Sequence, residues 1–385
     1  MAQMKLKIGL DAKRAVCNNT GLGNYSRYAI NVLSAAYTDC SFNLYSPVKK
    51  ENDRLEPLLL RENVELVVPK LSLNNGLTRA FWRTIDLPLD LRSDNIDIYH
   101  GLSNELPLTI KNVCPSVVTI HDLIWRRCRE DYAAIDRRLY DFKYSRSAKI
   151  ATRVIAISEC TKRDLINDLG IDPEKIDIVY QGIDPIFANK PTSAQIMETR
   201  KRYGLPQKYI ITVGTIQPRK NQLLAVEALP AIPEDISLLI VGSLAGAYGR
   251  KLVDRVCALR LGDRVQMLYK VPFTDLPALY AGAVASSYTS RYEGFGLPVV
   301  ESLAMGTPVV ACTGSCLEEA GGDGAVYIHP DDVDAFAREA TRIATDTVFH
   351  DKLARYGKQH IRRFSPESFA RQTMDCYYKA IVSNG

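Results

Sequence analysis

Long hydrophobic runs are missing from this sequence: no stretch approaches the ~18 apolar residues of a membrane-spanning helix. The N-terminal run MAQMKLKIGLDAKR likewise has too short an apolar core for a secretory leader. Neither export nor membrane insertion is expected. Charge of one sign is also scarce, with 49 Lys+Arg against 44 Asp+Glu and a net charge of +5. Halves split at Asp184 are each nearly balanced, which leaves out the basic excess of a nucleic-acid binder. The nine cysteines (17, 40, 114, 128, 160, 257, 312, 316, 376) contain no C-x-x-C pair and no framework spacing. That pattern fits a reducing, cytoplasmic setting. No H-E-x-x-H, G-K-[ST] or G-x-S-x-G is present, so metalloprotease, phosphate-loop triphosphatase and hydrolase readings have no support.

What is present is length and alternation. A chain of 385 residues predicts two domains with separate cores. Short Val/Ile-rich runs alternate with helical patterns throughout. Strands are expected at 6–10, 42–45, 64–68, 97–101, 116–121, 153–158 and 176–180, then at 209–214, 237–242, 265–269, 284–288, 308–311 and 325–328. Helical windows at 24–36, 135–151 and 159–169 fall between strands. Near-continuous apolar strands are buried on both faces by helices, so the expected fold is α/β, with two doubly wound parallel-sheet domains facing a cleft. Prolines 185, 191 and 206 mark the boundary, giving domains 1–185 and 186–367. The stretch 368–383 carries a helical apolar stripe with no strand after it, and packs on what is already built.

In parallel sheets chemistry sits in the loops beyond the strand ends. After the strand 284–288 comes Ser290-Arg291-Tyr292-Glu293-Gly294-Phe295-Gly296-Leu297-Pro298, then Glu301. Glycines let backbone approach a ligand, Pro298 suits a helix start, and amides at a helix N-terminus favour phosphate. Carboxylates at 293 and 301 suit sugar or ribose hydroxyls, although Glu301 in a first helical turn also reads as a dipole complement. After the strand 209–214, Gly214-Thr215-Ile216-Gln217-Pro218-Arg219-Lys220-Asn221 puts two cations beside a helix start, suited to a diphosphate or equally a solvated pair. Gly21-Leu22-Gly23-Asn24-Tyr25 is a weak dinucleotide fingerprint, credible as a flexible loop touching phosphate. His121-Asp122 and His100 end strands, where a histidine is a hydrogen-bonding residue or a cleft residue. Asp332-Val333-Asp334 is the one D-x-D, placed as a helix cap rather than a metal site.

Together and in this order, these runs resemble the retaining glycosyltransferases of family 4, with the two-domain GT-B fold. The resemblance runs from Gly21-Leu22-Gly23-Asn24-Tyr25 through Ile120-His121-Asp122-Leu123, Tyr180-Gln181-Gly182-Ile183-Asp184 and Gly214–Asn221 to the E-x7-E pair Glu293 and Glu301. Gln181 departs from a common Asn, and Arg291 from an apolar residue. The resemblance implies that Arg219 and Lys220 hold a donor diphosphate, that Glu293 lies near the donor sugar and that Glu301 binds ribose. It implies that Gly294, Phe295, Gly296 and Leu297 offer amides, and that Lys270 and Val271 hold the base through the main chain. His121 would meet the transferred sugar and Gly23 the phosphate, and the helix 368–383 would cross back to the first domain. No protein nucleophile and no metal or other cofactor is implied. The substrate would be a nucleotide sugar, GDP-mannose ahead of a UDP-hexose, and the acceptor a saccharide or lipid-linked saccharide. A sugar-nucleotide epimerase of the same fold, or a non-catalytic nucleotide-sugar binder, are the alternatives. Nine basic residues among aromatics between Trp125 and Arg153 suggest peripheral contact with anionic membrane, or a solvated helix face.

Overall fold

Residues 5–19, 21–69, 75–244 and 246–383 are described in a computed structural model, and their apolar runs form two parallel sheets. The first contains β1 (Lys7–Asp11), β2 (Ser41–Tyr45), β3 (Val64–Val67), β4 (Ile98–Gly101), β5 (Ser116–Ile120), β6 (Arg153–Ala156) and β7 (Ile176–Ile178), in the order β3-β2-β1-β4-β5-β6-β7. The second contains β8 (Lys208–Val213), β9 (Ile236–Val241), β10 (Val265–Leu268), β11 (Ala285–Tyr288), β12 (Val309–Cys312) and β13 (Ala325–Ile328), in the order β10-β9-β8-β11-β12-β13. Every residue of β4, β5, β11 and β12 is buried, as helices on both faces of a parallel sheet require. Strand order reverses between β1 and β4 and again between β8 and β11. At such a switch point adjacent loops diverge and leave room for a ligand.

Two units result. One takes in Met1–Trp125, Tyr132–Gly182 and Pro366–Gly385; the other Arg126–Asp131 and Ile183–Ser365. The C-terminal helix Pro366–Val382 is therefore part of the first unit. Its Phe369, Met374 and Tyr377 join that unit's core, and the Phe369 ring lies 5.1 Å from Tyr28. Tyr377 Oη is 2.7 Å from His100 Nδ1, and Lys379 pairs with Asp177 at 2.7 Å.

Three local readings change. Gly21–Tyr25 is not a flexible loop but the first turn of the helix Gly21–Ala36. A Cβ on Gly23 would lie 1.8 Å from the Asn18 carbonyl oxygen, so this glycine is needed for close packing on the preceding turn. Second, the basic stretch from Trp125 to Arg153 is not one surface. Trp125 is buried against Tyr144, Arg153 pairs with Asp177 at 2.5 Å, and Arg126–Asp131 belongs to the second unit. Third, 76–93 forms a helical run, Gly76–Phe81, Trp82–Asp86 and Leu87–Ser93, to which sequence periodicity assigned nothing. A reciprocal cap between Asn75 and Thr78 starts it, and Pro88 is accommodated near the start of its last segment.

Candidate active site

The loops after β8 and β11 meet because those strands pair directly at the switch point of the second sheet. Pro218–Lys220 make one tight turn, ended by Asn221 in the left-handed region at φ 54°. Side chains and backbone then stitch the two loops together. Arg291 N donates to Arg219 O at 2.8 Å, Thr289 Oγ1 to Asn221 O at 2.9 Å, and Arg219 Nη1 to Tyr292 O at 2.7 Å. Arg291 itself pairs with Asp331 at 2.5 Å, which gives its departure from an apolar residue a structural role.

Glu293 is the centre of this site. Its Oε1 is 2.7 Å from Arg219 Nη1 and 2.5 Å from Lys220 Nζ. The same oxygen accepts from Ser290 Oγ at 2.5 Å and Tyr288 Oη at 3.2 Å. Lys220 Nζ also donates to Tyr288 Oη at 2.6 Å. Burial alone would raise the Glu293 pKa, but the Lys220 and Arg219 charges and the hydrogen bonds outweigh it and hold the group at about 2. Burial lowers the Lys220 pKa, Arg219 adding to the fall and Glu293 opposing it. Two cations and one carboxylate in a buried cluster leave an excess positive charge, suited to one further anion.

Gly296 caps the helix Leu297–Ala304 at φ 117°, and a Cβ there would sit 2.8 Å from Leu317 Cδ2, so only glycine fits without strain. Pro298 is the second helical residue and lacks an N–H, while the Val299 amide is bonded to Gly296 O at 2.9 Å. Gly294, Phe295, Gly296 and Leu297, whose amides were expected to meet a ligand, lie in this turn and at the start of the helix. Phe295 is buried edge-on against Phe364, and its carbonyl accepts from Cys316 Sγ. Glu301 lies in the second helical turn, not the first, so it is no dipole complement. It receives Tyr280 Oη at 3.4 Å; burial, with Asp184 nearby, pushes its pKa up to about 7 against the Tyr280 hydrogen bond. Lys270 follows β10 at φ 56°, a conformation uncommon outside glycine, and Val271 packs on the second unit's core.

In the first unit, His121 is buried with both ring nitrogens occupied. Nε2 faces Leu102 O at 2.9 Å, which fixes it as the N–H donor and leaves Nδ1 to accept from Gln181 Nε2 at 3.1 Å. Burial lowers its pKa to about 4, so the ring is neutral near pH 7. The Leu102 carbonyl thus sets the tautomer of His121, and Gln181 holds the other ring nitrogen. His100 is equally enclosed, between Tyr377 Oη and Thr119 Oγ1. Asp332 accepts from Ala335 N at 2.8 Å as the cap of the helix Val333–Thr345. Among the described residues no group of three His, Cys, Asp or Glu is placed to hold a metal ion. Tyr288 and Ser290 complete the Glu293 cluster; sequence assigned neither a role, although Ser290 opens the run read as the site. Their spacing of five and three residues before Glu293, at a strand end, was the available signal.

Comparison with known proteins follows the same division. The family model "Glycosyltransferase Family 4" matches residues 27–187, and "Glycosyl transferases group 1" matches 195–360. O-antigen chain mannosyltransferase B of Escherichia coli is 28% identical over 290 residues, 73% of this chain and 74% of that one. D-inositol 3-phosphate glycosyltransferase of Salinispora tropica is 31% identical over 253 residues, 61% of this chain but about half (52%) of that protein. In fold, Anabaena HepE in complex with UDP and glucose matches 96% of this chain and 98% of its own, at a TM-score of 0.73 and 19% identity. Nothing in these matches favours an epimerase or a non-catalytic binder. With both sheets, the switch-point site and both family models in agreement, the chain belongs to the family 4 glycosyltransferases and has their two-domain GT-B fold.

Proposed function

We propose that the protein transfers a hexose, with retained configuration and without a metal, from a nucleotide sugar to a saccharide or lipid-linked acceptor in polysaccharide or glycolipid synthesis. Mannose from GDP-mannose is the favoured donor over a UDP-hexose. The observation that carries this reading is the convergence of Arg219 and Lys220 on Glu293 at the switch point. Breaking a sugar–diphosphate bond builds positive charge on the sugar and negative charge on the phosphate. Two preorganised, poorly solvated cations neutralise the latter as it develops. Glu293, released by the arriving diphosphate, accepts from sugar hydroxyls, Glu301 accepts from ribose hydroxyls, and Lys270-Val271 meet the base through the main chain. A role for His121 at the sugar requires that Leu102 or Gln181 give up a ring nitrogen. Gly23, packed on Asn18, contributes to a phosphate site only through its backbone.

The mannose assignment is supported by the name of the Escherichia coli relative, and the absence of metal by Asp332 being engaged as a cap. None of the nine cysteines is in a disulfide and seven are buried, which supports a cytoplasmic setting. Incubation with GDP-mannose or UDP-glucose, a saccharide acceptor and EDTA, followed by NMR of the product's anomeric centre, tests the reading. Turnover of GDP-mannose with retained configuration is expected. An inverted product, or Mg²⁺-reversible loss of activity in EDTA, would contradict the mechanism.

A further inference from the structure

One carboxylate oxygen in the Glu293 cluster faces more donors than it can serve. Arg219 Nη1, Lys220 Nζ, Ser290 Oγ and Tyr288 Oη all lie within 3.2 Å of Glu293 Oε1. A carboxylate offers about two lone-pair sites per oxygen, so four donors on one oxygen cannot all be well aligned. A phosphate group presents several acceptor oxygens and can receive the same donors separately. By its number of donors, the cluster matches a phosphate better than a single carboxylate oxygen.

Tyr288 makes the longest of the four contacts, 3.2 Å, where an O–H···O bond ordinarily spans about 2.5–3.0 Å. An ammonium has only donors, so the 2.6 Å contact with Lys220 Nζ makes the phenol oxygen the acceptor there and leaves its own hydrogen for Glu293. Lys220 thereby polarises the O–H and strengthens it as a donor. Burial, and then the Glu293 charge, raise the phenol pKa well above its ordinary value, so the proton stays on the oxygen. The side chain is buried at the last position of β11, and Thr289 Oγ1 beside it lies 3.1 Å from Lys220 O and 2.9 Å from Asn221 O. Phenol and ammonium are thus placed by the pairing of β8 with β11 rather than by free side-chain rotation. A phenylalanine would fill the same space. The hydroxyl is the part that packing does not explain, and deprived of Glu293 it would go unsatisfied unless an arriving ligand accepts from it.

We propose that Tyr288 is a further catalytic residue, donating a hydrogen bond to the sugar-linked phosphate of the donor, which becomes the terminal phosphate of the released nucleoside diphosphate. The role rests on hexose transfer being the reaction. In that step the bond between the anomeric carbon and the phosphate oxygen breaks and its electron pair stays with the phosphate. The acceptor oxygen takes its place on the carbon and releases its proton, and the phenol keeps its own throughout. The hydrogen bond from Tyr288 strengthens as the phosphate gains charge, so it lowers the barrier more than it aids ground-state binding.

Tyr288→Phe keeps the ring and removes the hydroxyl, and unfolding curves establish that it folds. Calorimetry with GDP against GMP, and UDP against UMP, should show diphosphate affinity lowered several-fold and monophosphate affinity unchanged. Initial rates with the donor should show kcat lowered by ~10², the scale of one preorganised donor. Replacing Tyr288 with 3-fluorotyrosine separates donation from a mere hold on Lys220, because fluorine makes the phenol a stronger donor and a weaker acceptor. Donation to phosphate predicts a higher kcat, and a hold on Lys220 a lower one. Parental diphosphate affinity in Tyr288→Phe, an equal loss of mono- and diphosphate affinity, or a slower fluorotyrosine enzyme would each overturn the inference. A parent that transfers no hexose, with diphosphate affinity alone reduced in Tyr288→Phe, would instead overturn the transfer reading and the catalytic role while confirming the phosphate contact.

Discussion

Glu293 keeps its charge in a buried place because four donors converge on one of its oxygens. In the proposed mechanism a donor diphosphate competes with Glu293 for Arg219 and Lys220. Exchange of carboxylate for phosphate predicts that Glu293→Gln binds a free nucleoside diphosphate more tightly, by several-fold to about tenfold, while transfer falls by ~10². Calorimetry beside initial rates measures both, and weaker nucleotide binding would show that phosphate does not compete for the pair. Glu293→Ala is a poorer probe, since it strands two buried cations at a cost of about 3–5 kcal/mol. Glu301 carries a different expectation. In its proposed role at the ribose hydroxyls the carboxylate is the stronger acceptor, and with its pKa pushed up to about 7 nucleotide affinity should fall, by up to about tenfold, between pH 8 and pH 6. Its folded pKa lies above the ordinary 4.5, so its contribution to unliganded stability is present below pH 4.5 and lost as pH rises through 7. Glu301→Gln should flatten both the affinity profile and that part of the melting-temperature profile; a variant that keeps the parental pH dependence would assign the titration to another group.

At the scale of elements, strands were legible and tight packing was not. The Val/Ile runs predict all thirteen described strands to within one or two residues, because burial on both faces leaves no room for polar interruption. The Gly21–Tyr25 reading failed for a definite reason: a glycine required for helix packing on Asn18 looks the same in sequence as one required for a mobile phosphate loop. The helix at 76–93 was obscured by Pro88, although its Leu77, Phe81, Ile85 and Leu89 spacing was readable. The E-x7-E pair marked the site's centre, but sequence did not show that Arg219 and Lys220 would close on Glu293, since that contact depends on β8 pairing with β11. Gly296 makes the element-scale prediction. Gly296→Ala forces a side chain into φ 117° and against Leu317, so it should cost about 1–3 kcal/mol in denaturant unfolding and weaken nucleotide binding. Normal stability would mean the loop relaxes freely. The C-terminal helix should matter more still. Truncation after Ser365 removes Phe369, Met374 and Tyr377 from the first unit's core, at about 1.5–3 kcal/mol each, and strands His100. Hydrogen exchange should then show β4 and β5 unprotected, whereas a protected first sheet would mean the helix is dispensable.

For the whole molecule, even charge and ordinary composition excluded more than they identified, and the family was carried by a few loop residues at strand ends. The helix Pro366–Val382, distant in sequence from the first sheet, belongs to the first unit because its apolar stripe of Phe369, Met374 and Tyr377 docks in that unit's core. In the proposed mechanism the cations at the second sheet's switch point stabilise the departing nucleoside diphosphate. Its most direct test is the initial rate of hexose transfer by Lys220→Ala, measured with saturating donor and acceptor, after unfolding curves show the variant folded. A fall in kcat of ~10² or more is expected, with a smaller loss of nucleotide affinity, because the charge on Lys220 matters most as negative charge accumulates on the leaving group. Transfer by Lys220→Ala at the parental rate would contradict it and move the active site elsewhere.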